Sequence, residues 1–100
     1  MLKKSEKFRR FVSACLNHRD TRYRFRKEIL IGDQRRTYYF LCVQAPESND
    51  LEIVAERQHK EVYAYALPVA DLPADPKARR WYLHKIWLGI ERQVIKRHQD

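Results

Sequence analysis

Glycine is nearly missing from this chain: Gly32 and Gly89 are the only two in 100 residues. That is too few for the glycine-rich loop that cradles a nucleotide phosphate. Cysteine is as scarce, and Cys15 and Cys42 each sit inside an apolar pattern, so they read as small buried hydrophobes in a reducing compartment. Long hydrophobic runs are lacking as well, and the stretch Met1 to Arg10 carries charge where a secretory leader needs its apolar segment. A cytoplasmic location, with no membrane partner, is the expectation. The Gly-x-Ser-x-Gly, His-Glu-x-x-His and paired-cysteine signatures are missing too. Cys15 and His18 have a spacing seen in metal sites, but no second pair completes it, and a core cysteine beside a helix-end histidine explains both. His59, His84 and His98 read as ordinary surface residues. No catalytic residue, metal site, cofactor or small-molecule substrate is therefore expected, and the chain reads as a binder and not as an enzyme.

Acidic residues are scarce at the two ends and concentrated between them. Residues 1–36 carry twelve Lys/Arg against four Asp/Glu, residues 37–76 two against seven, and residues 77–100 seven against two, for a net charge of +8. A field of that shape draws polyanions or acidic protein surfaces to one side of a molecule and repels them from another.

What is present is enough to fold. With 44% hydrophobic and 12% aromatic residues, the chain can offset the entropy of ordering itself, and 100 residues make one domain, 1–100, around one core. Ser5 is placed to cap a helix with Glu6 in its first turn. Phe8, Phe11, Val12, Cys15 and Leu16 then form one apolar stripe at helical spacing. Asn17 and His18 end it, and Asp20-Thr21 begins a change of period. From Arg22 to Ile31 the period is two, with Tyr23, Phe25, Ile29 and Ile31 on one side and Arg22, Arg24, Arg26 and Glu28 on the other. Gly32-Asp33-Gln34 makes a hairpin turn. Thr37 to Val43 is apolar on both faces, which predicts a central strand covered on both sides, and Pro46 to Asp50 ends it.

Residues 51–67 fit either a helix, capped by Asn49 and Glu52, or a hairpin; the aromatic and β-branched run Val62 to Leu67 favours the hairpin, with its turn at Gln58-His59-Lys60. Pro68, Pro73 and Pro76 hold an irregular connection until Asp75 caps, and Pro76 opens, a last helix. Leu83, Ile86, Trp87, Ile90 and Val94 form its core stripe. A second set, Trp81, Leu88 and Ile95, recurs every seven residues on nearly the opposite side, either buried within the domain or offered to another chain. The expected fold is α+β: an N-terminal helix, an antiparallel sheet of two hairpins, and a long C-terminal helix packed on one face.

The residues that stand out for binding are the arginines. Alternation sets Arg22, Arg24 and Arg26 about 7 Å apart on one side of a strand, a repeat close to the phosphate spacing of a nucleic-acid strand. Arg9, Arg10 and Lys7 extend the patch if the first helix packs beside it. Trp81, Leu88 and Ile95 are the candidates for a protein-partner anchor.

Three families are similar in part. Helix, antiparallel sheet and final helix is the order of double-stranded RNA-binding domains, and Pro76-Lys77-Ala78-Arg79-Arg80 is similar to the basic opening of their last helix; Trp81 and Tyr82 stand where those domains carry glycine and small residues. A small basic fold with a final helix also resembles RelE-like ribosome-dependent RNase toxins, which would imply RNA cleavage. Across its whole length, in size, charge and the segment Ala66-Leu67-Pro68-Val69, the chain resembles small phage proteins of the anti-RecBCD type. That resemblance implies a modulator in the host bacterial cytosol that binds a host DNA recombination and repair nuclease by protein contacts, with Pro68 engaging a prolyl isomerase. Direct nucleic-acid binding through the basic sheet face is the alternative.

Overall fold

The computed structural model describes residues 2–18, 22–45 and 47–99, with backbone alone at 98 and 99; the expectations for Asp20-Thr21, Pro46 and the His98 side chain fall outside it. A 3-10 turn, Lys3–Ser5, leads into helix α1, Glu6–Asn17. Strands β1 (Tyr23–Ile31), β2 (Gln34–Gln44), β3 (Leu51–Arg57) and β4 (Lys60–Leu67) follow. A second 3-10 turn, Val69–Asp71, precedes helix α2, Pro76–Gln99. The sheet is antiparallel with strands in sequence order, so β1 and β4 are its edges.

The first hairpin turn follows directly from its residues. Gly32 takes a φ of 65°, and alone in its turn does so, as the first central position of a type II′ hairpin requires. Residues 51–67 form the second hairpin, but its turn, Gln58-His59, holds two non-glycine residues at φ 54° and 66°. Between Ala55 and Glu56 the register with β4 slips by one residue, which leaves Val62 as the extra residue of a β-bulge. Asp75 caps α2 as expected, its carboxylate accepting from the Ala78 amide at 2.9 Å. Ser5 stands at the start of α1 but makes no side-chain cap; its hydroxyl donates instead to the Leu2 carbonyl at 3.2 Å.

Both helices lie on the same face of the sheet, α1 across β1 and β2 and α2 chiefly along β4. The shortest dimension of the Cα envelope, 19 Å, is that of one sheet and one layer of helices. Trp87 is fully buried at the centre, with its ring 5.3 Å from Phe8, 5.2 Å from Phe40 and 6.1 Å from Phe25. Leu83, Ile90 and Val94 join it from α2, and Phe8, Phe11, Val12 and Cys15 from α1. Cys15 and Cys42 are buried and unbridged. A hydrogen bond between them draws the Cys15 thiol below its ordinary pKa, outweighing burial, which pushes it up.

One expectation is corrected. β2 is central in the sheet but covered on a single side: Tyr38, Phe40 and Cys42 are buried, while Tyr39, Leu41 and Val43 on the other face are only half-buried. Its two-sided apolar pattern marks an open face with apolar character, because none of the described elements forms a third layer. No helix among the described residues is long and apolar enough to cross a membrane.

Candidate functional site

The alternation of β1 directs Tyr23, Phe25 and Ile29 toward the helices and leaves Arg24 and Arg26 exposed on the opposite side. α1 lies against the inner side of the same strand, with Phe11 and Phe25 in contact at 4.7 Å between ring centroids. The two elements enclose a groove of about 400 Å³. Its floor is Phe11, Tyr23 and Phe25, and its rim is Lys7 and Arg10 from the helix and Arg24 and Arg26 from the strand. Because β1 is an edge, the groove runs beside main-chain groups that have no neighbouring strand.

The rim cations are held in place to different degrees. Arg24 lies over the Tyr39 ring at 4.3 Å, a cation–π contact that fixes the guanidinium without neutralising it. Arg10 pairs with Glu6 at 2.8 Å, both largely solvated, so the pair contributes little to stability and yields easily to a competing anion. Glu28, which the alternation puts on the arginine side, pairs with Arg35 at 3.8 Å. Among the described residues neither Arg24 nor Arg26 has a carboxylate partner. Arg22 is exposed just before the strand.

Arg9 lies apart from this groove. Its Nε donates to Ser5 Oγ and its Nη2 to the Leu2 carbonyl, both at 3.0 Å, and it borders a second depression with Leu2, Lys3, Glu6, Arg80 and Trp81. Trp81 is 41% exposed there, edge-on to His84 at 5.8 Å. Leu88 and Ile95 are half-buried and pack on the core, so of the predicted apolar strip Trp81 alone stands out. His84 is half-buried, not a free surface residue, and its Nδ1 lies 2.8 Å from Ser5 Oγ. Pro68 is half-buried between β4 and the 3-10 turn, its carbonyl accepting from Asp71 at 3.0 Å.

The open sheet face has a feature that chain order conceals. Arg24 pairs across to Leu41, Leu41 to Val54 and Val54 to Ala64, while Glu52 and Glu56 of β3 lie opposite Val43 and Tyr39. Positive charge thus lines β1, negative charge lines β3, and an apolar row lies between them. On this open face the acidic middle of the sequence supplies the carboxylates of β3, two strands away from the arginines of β1. No family model, curated protein sequence or solved structure matches this chain.

Proposed function

We propose that the chain acts by binding: it docks on a protein complex that processes DNA, of the recombination-nuclease kind, and presents its β1 edge to an acidic surface of that complex or to the DNA it holds. The observation that carries this reading is the groove, where four cations surround an apolar, aromatic floor. An acidic segment with bulky apolar side chains satisfies both parts of such a site, the rim by charge and the floor by burial. Trp81 supplies a second point of attachment, since a large, partly exposed aromatic is the side chain most often found anchoring an interface. Engagement of Pro68 by a prolyl isomerase belongs to the same reading and requires its turn to open, because Pro68 is half-buried.

Affinity purification from bacterial lysate, with and without added nuclease, tests it. Captured partners should survive nuclease and be lost from the Arg24→Glu, Arg26→Glu pair and from Trp81→Ala, each checked for folding by circular dichroism. Variants that are folded and still retain every partner of the parent would end this reading.

A second reading is favoured by Tyr23 beside the cations: the groove takes a single strand of nucleic acid, with a base against the Tyr23 ring and phosphates on the rim. Partners that vanish on nuclease treatment support it over protein docking.

A further inference from the structure

On the helix-covered side of β2, Tyr38 is completely buried, yet its hydroxyl has no hydrogen-bond partner among the described residues. An orphaned buried hydroxyl is costly and uncommon in a folded chain. Tyr38 also lines an open pocket of about 480 Å³ between the β3–β4 turn and the last turns of α2. The other walls carry Arg57, Lys60 and Arg97, against one carboxylate, Glu61. Arg97 is positioned by its contact with the Tyr63 ring, 5.4 Å from the guanidinium carbon to the centroid. Two residues before Tyr38, on the same face of β2, Arg36 also has its Nε buried without an acceptor.

We infer that this pocket is a binding site for a phosphomonoester group, with Tyr38 and the guanidinium groups of Arg57 and Arg97 donating to its terminal oxygens. The match is of charge and of donor number. Three cations and one carboxylate give the lining a net charge of +2, the complement of a phosphomonoester near neutral pH, which brings three strong acceptor oxygens. A carboxylate ligand would leave donors over. Burial holds the Tyr38 hydroxyl above its ordinary pKa, against the pull of Arg57 and Arg36, so it remains a donor at neutral pH. The pocket is larger than one phosphate and opens to solvent, so the group can be free or can terminate a nucleic-acid strand. None of its walls belongs to the α1–β1 groove, and the site stands or falls independently of the proposed function.

Inorganic phosphate titrated into the ¹⁵N-labelled protein, at ionic strength fixed with sodium chloride, tests the site. Saturable amide shifts centred on residues 36–38, 57–62 and 97 are expected. Tyr38→Phe removes only the orphaned hydroxyl, so the fold should hold while phosphate affinity drops about tenfold or more, the loss that goes with one hydrogen bond to a charged group. Arg97→Gln, at an exposed position near the end of α2, should weaken binding comparably, and Lys77→Glu, exposed at the other end of that helix, should leave it unchanged. Shifts that chloride reproduces, or phosphate binding that survives Arg97→Gln at full strength, would overturn the assignment. Competition by a 5′-phosphorylated oligonucleotide, but not by its 5′-hydroxyl twin, identifies a strand terminus as the source of the group; equal, weak competition by both identifies a free phosphomonoester.

Discussion

Ser5 carries more of the structure than its place at a helix start suggests. Its Oγ donates to the Leu2 carbonyl and accepts from Arg9 Nε. Its Oγ also lies 2.8 Å from His84 Nδ1, within hydrogen-bond distance. One fully buried hydroxyl therefore ties the first turn to α1 and to α2. Removing it in Ser5→Ala leaves Arg9 Nε and His84 Nδ1 without their partner in a part-buried site, and should cost about 2 kcal/mol, the usual range for losing hydrogen bonds that involve a charged group. Urea unfolding measures this, and a double-mutant cycle with His84→Ala should return a coupling clearly different from zero. Additive effects in that cycle would mean that the contact is incidental. The sequence placed Ser5 at a helix terminus by residue preference alone, but the partner that defines its role is 79 positions away, and no local pattern reaches so far. Arg9 was hidden for the same reason: its charge and spacing match those of Arg10, and only the packing of α1 decides that one turns to Ser5 and the other to the groove.

Among the elements, those whose periodicity and turn chemistry agree were legible in advance. β1, its glycine turn and the Asp75-Pro76 opening of α2 are such cases. The second hairpin was harder to read because its turn lacks the residues that the geometry prefers. Gln58 and His59 both occupy the left-handed region, where an Asn-Gly pair sits with much less strain. The double replacement Gln58→Asn, His59→Gly should therefore stabilise the protein by about 1 kcal/mol, the strain relieved exceeding the added freedom of glycine in the unfolded chain. A higher urea midpoint at unchanged m-value would be the signature; a lower midpoint would show that the two side chains contribute contacts worth more than the strain. β2 was misread in the other direction. Its continuous apolar run has the pattern of a strand buried on two faces, but α1 and α2 both lie on one side, and burial depends on what is left to cover a face. The same limit applies to Trp81, Leu88 and Ile95. Their seven-residue repeat is real, but Leu88 and Ile95 rest against the core, and the repeat does not separate a flank from an outer face.

For the whole molecule, the question is whether polyanion binding reflects the net charge of +8 or its arrangement. If net charge were the cause, removing any one exposed cation would weaken binding by a similar amount. If the groove is the cause, the loss depends on position, since charges beyond a Debye length of about 8 Å at physiological salt are largely screened from a bound strand. Arg24 at the rim and Arg92 on the outer side of α2 form a matched comparison, because reversing either to Glu changes the net charge equally. With a poly-dT oligonucleotide as the probe, four rim cations predict a log–log salt slope of about −3, at roughly 0.7 per phosphate neutralised on a single strand. Arg24→Glu should flatten that slope by about one unit or more and weaken binding at every salt concentration. Arg92→Glu should shift affinity slightly at low salt, where screening is weak, and leave the slope unchanged. Equal losses in the two variants would assign the attraction to the overall charge, and the groove would then have no special part in it.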